Sequence, residues 1–205
     1  MKVAILGGTG PFGRGLAARL HAAGDEVTIG SREASKAKAV AQELGVEGEA
    51  NAEALAGAEL AVLAVNADAA VETARSLVGA LGTTPLLSVA SELGFGDGGA
   101  RPAAEGPSLA ERVAEVVKGP VAAGLHSVAA RNLGEEAPDE DALVCGDDRA
   151  AKVLALELAS HVVAGRALDA GPLAAARALE GLTAVIVNLN RGYKARTGIR
   201  VTGLP

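Results

Sequence analysis

The first fifteen residues constrain the fold more than any other stretch of this chain. Residues 3–6 form a short apolar run, which is typical of a buried parallel strand. Three glycines follow with the spacing G-x-G-x-x-G, namely Gly8, Gly10 and Gly13. In this pattern the first glycine permits a tight turn, the second lets a pyrophosphate approach the backbone, and the third lets a helix pack against the strand. The sequence therefore predicts a dinucleotide site, against the alternative of a structural glycine turn.

The residues after the second predicted strand indicate which dinucleotide is bound. In an NAD site an acidic residue at this point accepts a hydrogen bond from the ribose 2′-hydroxyl. Here the chain has Ser31 and Arg32 instead, and Lys36 follows one helical turn later. A hydroxyl, a guanidinium and an ammonium group suit a 2′-phosphate. We therefore expect NADP rather than NAD, against the alternative of an ordinary helix start with surface cations.

Composition sets the broad class of the protein. The 205 residues are 49% hydrophobic, enough for one core or for a domain with a small appendage. A net charge of −6 argues against nucleic-acid binding. The single cysteine, Cys145, suits a reducing cytoplasm, and the glycine loop arrives too early for an export signal. We expect no membrane span, and no metal site, because one cysteine and three scattered histidines give no ligand spacing.

Strand and helix patterns alternate along the chain, which predicts a doubly wound, Rossmann-type α/β sheet. Strands are predicted at residues 3–6, 26–29, 46–51, 60–65, 85–89, 121–125 and 143–145. Helices are predicted at residues 14–23, 33–44, 68–81, 108–117, 149–163 and 172–190. We expect residues 94–107 to be a mobile loop and the acidic residues 134–141 to be a solvated one. A boundary near Lys118 would divide an NADP-binding Rossmann domain (1–118) from a small C-terminal α/β domain (119–205).

One histidine is a candidate for the site. His126 follows a predicted strand, and ligands of α/β sheets bind beyond the carboxyl ends of strands. A hydrogen-bonded structural histidine is the alternative. The Tyr-x-x-x-Lys pair of short-chain dehydrogenases is absent, because Tyr193 is followed at that spacing by Thr197. The adjacent Asp147 and Asp148 precede a predicted helix and are better explained as capping residues.

Three features leave two interpretations each. The C-terminal cations are either a solvated tail or a mouth that attracts an anionic ligand: Arg191, Lys194, Arg196 and Arg200. The aromatic residues either cover a planar ligand or are scattered by chance: Phe12, Phe95 and Tyr193. The apolar face of the last helix either forms a homodimer or packs within the monomer: Leu173, Leu179, Leu182, Ile186 and Leu189.

Along its whole length the chain resembles the NADPH:coenzyme F420 oxidoreductases. The motifs that carry the resemblance are Gly7-Gly-Thr-Gly10 with Gly13 and Gly15, Gly30-Ser-Arg32, Leu125-His126, Val144-Cys-Gly-Asp-Asp148, Leu168-Asp-Ala-Gly-Pro-Leu173 and the closing residues 188–199. The resemblance implies a Rossmann domain with a small C-terminal domain, and coenzyme F420, an 8-hydroxy-5-deazaflavin, lying against the nicotinamide of NADP(H).

The resemblance also implies roles for individual residues. The pyrophosphate would lie on Thr9, Gly10, Pro11 and Phe12, and the 2′-phosphate on Ser31, Arg32 and Lys36. The deazaflavin would lie on His126, Ser127 and Val128, with Ala130 on the nicotinamide side and Asn188 and Thr197 nearby. The chain departs from the archaeal Ile-Pro-Trp pattern at Val65-Asn66-Ala67, and Ala67 is retained as a cofactor-binding candidate.

The implied reaction is a reversible, direct hydride transfer between C5 of the deazaflavin and C4 of the nicotinamide. It requires alignment of two rings and exclusion of water rather than a catalytic acid or base, so no catalytic residue is expected beyond the candidate His126. The alternative is a non-catalytic NADPH-binding redox sensor. A β-hydroxyacid or imine dehydrogenase is disfavoured, because such enzymes usually need a longer helical domain than this chain provides.

Overall fold

The computed structural model describes residues 1–103, 105–133 and 136–204. Within these ranges the strands are Lys2–Leu6 (β1), Glu26–Ser31 (β2), Glu47–Ala50 (β3), Leu60–Leu63 (β4), Leu86–Ser88 (β5), Leu93–Gly96 (β6), Gly99–Pro102 (β7), Val121–Gly124 (β8), Ala142–Gly146 (β9) and Ala167–Asp169 (β10). The helices are Pro11–Ala22 (α1), Ala34–Leu44 (α2), Asn51–Ala54 (α3), Ala67–Ser76 (α4), Val78–Leu81 (α5), Leu109–Ala114 (α6), Arg149–Val162 (α7) and Ala176–Tyr193 (α8). Short 3₁₀ turns cover Ala130–Asn132 and Leu173–Ala175.

Eight of the strands form one sheet in the order β10-β9-β8-β5-β4-β1-β2-β3. Neighbouring strands run parallel except at β8 and β9, which are antiparallel. The chain moves outward from β1 through β2 to β3 and then returns to the other side of β1 as β4. The topological switch point of the sheet therefore lies between β1 and β4, where a crevice forms at the carboxyl ends of the strands.

Alternate residues of β1 pack on opposite faces of the sheet, which makes the fold doubly wound. Val3 and Ile5 belong to a core with helices α1, α2 and α7, whereas Ala4 and Leu6 belong to a core with α4, α6 and α8. This two-faced burial explains why strand β1 reads as a continuous apolar run. The predicted Rossmann-type fold is confirmed. The sheet and both cores continue across Lys118, so the predicted domain boundary stays a prediction about folding units.

Residues 93–102 differ from the predicted mobile loop. Strands β6 and β7 pair in antiparallel register, from Leu93 opposite Pro102 to Gly96 opposite Gly99. Glycines carry little strand signal, and here they surround a tight turn in which Gly99 has a φ of +102°. The predicted loop was wrong in this part, and Ala104 lies outside the described residues.

The acidic segment before β9 also differs from its prediction as a solvated loop. Glu140 and Asp141 are buried, and Asp141 accepts hydrogen bonds from Arg166 Nη2 at 2.9 Å and from the Val201 amide at 2.8 Å. Burial of a carboxylate requires such partners. The residues that supply them are distant in sequence, which is why the acidic composition was misleading. Gly134 and Glu135 lie outside the described residues.

The predicted capping role of Asp148 is visible at the start of α7. Asp148 caps α7 by accepting a hydrogen bond from the Ala151 amide at 2.8 Å, as predicted.

Among the helices of the described ranges, none has the length and apolar composition needed to span a bilayer. No group of three or more His, Cys, Asp or Glu side chains arranged to bind a metal occurs in the part of the chain that the structure describes.

Candidate functional site

Two cavities open at the switch point of the sheet and share part of their walls. The first, called here the loop cavity, has a volume of about 270 Å³ and lies over the glycine loop and the start of α2. The second, called the central cavity, has a volume of about 400 Å³ and extends over the ends of β5 and β8. Both are lined by Gly10, Ala64, Val65 and Asn66. An elongated ligand can therefore lie across the glycine loop with one end in each cavity.

The glycines of the loop have structural roles that differ in part from those predicted. The left-handed backbone of the turn belongs to Gly7, with a φ of +75°, and not to Gly8. A Cβ on Gly8 would lie 2.8 Å from Ile29 Cγ2 and 2.9 Å from the Ile5 carbonyl oxygen, so Gly8 is required by packing. A Cβ on Gly13 would lie 2.6 Å from Gly8 Cα. The predicted close approach of the helix to the loop is thus confirmed at Gly13.

Gly10 leaves open space where the pattern predicts a pyrophosphate. The nearest heavy atom to a Cβ built on Gly10 is the Gly7 carbonyl oxygen at 3.7 Å. Gly10 is the N-cap of α1 and Pro11 is its first residue, so the helix begins three residues before the predicted start at residue 14. No acidic side chain occupies the first turn of α1, so the positive end of the helix dipole is not neutralised locally. The geometry fits an anionic group at this point.

The loop cavity brings together the three residues assigned to a 2′-phosphate, Ser31, Arg32 and Lys36, beside Thr9. Arg32 is exposed and makes no ion pair with any described residue, so its guanidinium is available. Glu33 also lines this cavity and pairs with Lys36, with Lys36 Nζ 2.7 Å from Glu33 Oε1. A bound phosphate would compete with Glu33 for this ammonium group.

Asn51 is a residue of the loop cavity that sequence reasoning missed. It begins α3, directly after β3, and its Oδ1 accepts a hydrogen bond from the Gly7 amide at 3.3 Å. The same oxygen would lie 2.6 Å from a Cβ on Gly30, which explains a glycine in the Gly30-Ser-Arg32 motif. Its position at a strand end was the only available signal.

Eight of the predicted site residues line the central cavity. They are Gly10, Pro11, Phe12, Ala67, His126, Ser127, Val128 and Ala130. Aliphatic and small side chains form most of the remaining wall, and no charged residue is among the described residues that line it. This composition suits uncharged planar rings. Of the three aromatic residues only Phe12 lines this cavity, because Phe95 and Tyr193 are 70% and 77% exposed at the surface.

His126 is buried in the wall of this cavity. Leu125, directly before it, has a left-handed backbone with a φ of +63°, which turns the chain at the end of β8. His126 Nδ1 lies 3.1 Å from Ser91 Oγ, and burial lowers the pKa of the imidazole to about 4. The ring is therefore neutral near neutral pH and serves as a hydrogen-bonding group.

Two buried polar atoms of the cavity wall have no hydrogen-bond partner among the described residues, His126 Nε2 and Ser127 Oγ. Buried polar groups are normally satisfied, so each is a candidate contact for a bound molecule. Sequence reasoning missed three further polar residues of the wall, Ser91, Thr183 and Asn190. Ser91 follows β5, whereas Thr183 and Asn190 both lie on α8, and nothing in their local sequence marks them.

The structure places Asn188 and Thr197 outside the lining of both cavities. The Asn188 amide is used by the β6–β7 hairpin, where it bonds the Ala100 amide and carbonyl. Thr197 instead positions a lining residue, since its amide donates to Asn190 Oδ1 at 2.7 Å and its hydroxyl donates to the same atom at 3.1 Å. Neither side chain therefore has a direct route to a ligand in the central cavity.

The basic C-terminal segment reaches the site at one residue. A recess of about 430 Å³ adjoins the central cavity and is lined by Ala129, Ala130, Arg131, Val187, Asn190 and Arg191. Arg131 donates a hydrogen bond to the Ala195 carbonyl at 2.8 Å, which ties the segment to the recess. Arg200 is instead paired with Asp139. The recess therefore carries two guanidinium groups at the mouth of a neutral cavity.

Comparison with known proteins identifies the relatives of this chain. The sequence model of the family described as "NADP oxidoreductase coenzyme F420-dependent" matches residues 2–92. The F420-dependent NADP reductase of Methanothermobacter marburgensis is 39% identical over 224 aligned positions, and the alignment covers all of both chains. The enzyme of the same name from Methanocaldococcus jannaschii is 34% identical over 222 positions, covering 100% of this chain and 99% of the relative.

Solved structures give the same result at the level of the fold. A crystal structure from Arthrobacter sp. FB24, provisionally described as an F420-dependent NADP-reductase, superposes with a TM-score of 0.83 at 28% identity, covering 99% of this chain and 100% of that one. A Streptomyces aurantiacus imine reductase superposes with a TM-score of 0.62 at 27% identity, but this chain covers only 62% of its length. On full-length identity, this chain belongs to the F420-dependent NADP reductase family.

Proposed function

We propose that this protein transfers a hydride between NADP(H) and coenzyme F420. The observation that carries the proposal is the shared wall of the two cavities at the switch point, together with membership of the family. The loop cavity presents cations and lies at the N-terminus of α1, whereas the described lining of the central cavity is uncharged and suits flat rings. This division matches a dinucleotide with a charged end and a ring end.

On the nucleotide side, we assign the pyrophosphate to the loop of Gly8, Thr9, Gly10, Pro11, Phe12 and Gly13. Ser31, Arg32 and Lys36 would hold the 2′-phosphate, with Arg32 giving the planar, two-pronged contact that a phosphate favours. Glu33 would have to release Lys36 when the phosphate binds. The exposed ion pair of Lys36 and Glu33 contributes little to stability, so breaking it would reduce the binding free energy of the phosphate only slightly.

On the ring side, we assign the nicotinamide and the deazaflavin to the central cavity, against Ala67, His126, Ser127, Val128 and Ala130. The two cosubstrates together supply the hydride chemistry. The residues of the cavity would align the rings at roughly 3–3.5 Å and keep water away. The described residues of the wall include no charged group, which suits this role, because no acid or base is needed at the reacting carbon atoms.

The anionic tail of coenzyme F420, with its phosphodiester and glutamates, would leave the cavity through the basic recess. Arg131 and Arg191 line this recess, and both would attract such a tail. Lys194 and Arg196 follow Arg191 along the chain and would add to the local positive potential. Of the two interpretations of the C-terminal cations, this proposal adopts the one in which they attract an anionic ligand, and it adds Arg131 to the residues involved.

The C-terminal part, residues 119–205, contributes β8 and α8 to this site, and we propose that it acts as the deazaflavin-binding part of the protein. We also propose a homodimer through α8. Most of the apolar residues predicted for that contact are used inside the monomer, including Leu179 and Ile186. Of the predicted residues Leu189 is exposed, and it forms a stripe with Val185 and Tyr193 on the same helix that would make the contact.

The direct test mixes the protein with NADPH and oxidised coenzyme F420 and follows the visible absorption band of the deazaflavin. We expect the band to bleach quickly with NADPH and slowly with NADH. Heat-denatured protein is the control. Tight NADPH binding without bleaching would contradict the proposal and would favour the non-catalytic redox sensor.

A further inference from the structure

Three hydrogen bonds close a ring through the wall of the central cavity. Thr183 Oγ1 donates to the His126 carbonyl oxygen at 2.7 Å. Ser91 Oγ lies 2.7 Å from Thr183 Oγ1 and 3.1 Å from His126 Nδ1. The ring joins the end of β5, the end of β8 and the middle of α8.

The direction of every hydrogen bond in this ring is fixed. Each hydroxyl carries one proton, and a carbonyl oxygen can only accept. Because Thr183 donates its proton to the carbonyl oxygen, Ser91 must donate to Thr183. Ser91 then has no proton left for the imidazole, so His126 Nδ1 must carry a proton and donate it to Ser91 Oγ.

We propose that Ser91 and Thr183 are positioning residues, which hold neutral His126 with its proton on Nδ1 and leave Nε2 as an unprotonated acceptor for the bound cosubstrate. This inference rests on the proposed function. The central cavity accordingly selects a planar ring whose edge carries an N–H or O–H donor. A ring that presents only acceptors at this point would leave a buried lone pair unsatisfied and bind more weakly.

The surroundings of His126 support this assignment. Nε2 is buried and has no partner among the described residues, so a bound molecule is the remaining source of a donor. The described residues that line the cavity include no charged group that would favour the imidazolium form. The left-handed Leu125 fixes the backbone just before the ring, which limits the positions that His126 can adopt.

The first test reads the tautomer directly in the free protein. Nitrogen-15 NMR of the histidine side chains distinguishes a protonated from an unprotonated ring nitrogen, and His126→Gln identifies the signals of His126 among the three histidines. In the wild-type protein we expect a protonated Nδ1 and an unprotonated Nε2 near neutral pH. A proton on Nε2 would overturn the proposal.

Two variants of Thr183 test the relay. Thr183→Val removes the hydroxyl with little change in shape, which frees the Ser91 proton to bond Nδ1, so we expect the tautomer to switch to Nε2–H. Thr183→Ser restores the hydroxyl and should keep the wild-type pattern. If Thr183→Val does not fold, Ser91→Ala replaces it and should give a mixture of tautomers. An unchanged Nδ1–H signal in the folded variant would contradict the relay.

A binding measurement tests the selection of the ligand. We expect Thr183→Val to weaken the affinity for oxidised coenzyme F420 about tenfold and Thr183→Ser to recover most of it. The affinity of NADP⁺ provides the comparison for general damage. If Thr183→Val switched the tautomer of His126 but left the affinity for coenzyme F420 unchanged, the inferred selection for a ring with an N–H or O–H donor would be wrong. Because the NMR signal needs no turnover, failure of the bleaching assay with the expected tautomer would count against the proposed function alone.

Discussion

The side-chain amide of Asn188 pairs with the backbone of Ala100 in both directions. Asn188 Oδ1 accepts the Ala100 N–H at 2.8 Å, and Asn188 Nδ2 donates to the Ala100 carbonyl oxygen at 2.8 Å. A Cβ on Gly99 would lie 2.4 Å from the same Oδ1, so the turn of the hairpin is also shaped to this contact. Asn188 therefore acts as a latch between α8 and the hairpin.

Loss of this latch should affect stability more than nucleotide binding. Asn188→Ala leaves two backbone groups of Ala100 without their partner, and we expect a loss of about 1–2 kcal/mol in the free energy of unfolding. Urea unfolding measures this change. The affinity for NADP⁺ should stay at the wild-type value, since Asn188 lies outside the loop cavity. A large loss of NADP⁺ affinity without loss of stability would contradict the latch.

The glycines of the loop should separate folding from binding. Gly10→Ala introduces a methyl group into open space, so the protein should fold normally while NADPH binds at least about tenfold more weakly. Gly13→Ala instead forces a contact with Gly8 and should destabilise the fold by about 1–3 kcal/mol. Gly79→Ala, with no atom within 4 Å of the added Cβ, is the matched control for both measurements. If Gly10→Ala and Gly13→Ala lowered the free energy of unfolding by the same amount, the assignment of Gly10 to binding and of Gly13 to folding would be wrong.

Arg32 should determine the preference for NADPH. Arg32→Ala removes a charged contact to the 2′-phosphate, so the apparent KM for NADPH should rise roughly tenfold to a hundredfold, with a much smaller change for NADH. Steady-state kinetics with both nucleotides measure the difference. Lys38→Ala on the neighbouring helix α2 is the control, because Lys38 pairs with Glu49 and lines neither cavity. Equal effects on NADPH and NADH would mean that the assignment of the 2′-phosphate is wrong.

The basic recess should bind the anionic tail in a salt-dependent manner. The double change Arg191→Ala and Lys194→Ala should weaken binding of coenzyme F420, and more strongly at low ionic strength, because salt screens exposed charges. Fluorescence titration across a range of salt concentrations measures this. Arg75→Ala removes an exposed cation that pairs with Glu72 on α4 and is the control for net charge. An affinity that does not depend on ionic strength in either protein would remove this role.

The buried carboxylate of Asp141, which pairs with the partly exposed Arg166, should make the stability of the fold depend on pH. Hydrogen bonds from the Arg166 side chain, and then from the Arg166 and Val201 amides, lower the pKa of Asp141 from 3.8 to about 2. A folded-state pKa below the unfolded value adds stability above pH 3.8, and this stability is lost as the pH falls towards 2. Asp141→Asn should therefore be less stable at neutral pH and show a shallower decline across this interval in urea unfolding. The exposed Asp139→Asn is the control, and a change of the same size there would contradict the assignment.

Much of the loop cavity, where we propose that the nucleotide binds, could be predicted from sequence because its signals are local. The glycine loop, Pro11 and the run from Ser31 to Lys36 lie within short stretches, and the strand order brings their ends together. His126 could be placed because a strand end locates a residue at the carboxyl edge of the sheet. The cytoplasmic location stays a prediction.

The remainder depended on contacts between distant residues. Ser91 and Thr183 are 92 residues apart, and Asp141 and Val201 are 60 apart, so no local pattern could reveal either pair. The hairpin was missed because four of the ten residues from 93 to 102 are glycines, and glycine weakens any strand pattern. Asn188 was assigned to the ligand on resemblance, whereas its partner, Ala100, offers only backbone atoms.

The strand order has a consequence for how such proteins can change. Strands β1, β4, β5 and β8 are adjacent and parallel, and adjacent strands lie about 4.8 Å apart. The offset between the loop cavity and the central cavity is thus set by the spacing of the strands and not by any single side chain. Loops beyond the strand ends can vary in length and chemistry to accommodate new ligands, while the spacing of the strands keeps the distance between the two cavities constant.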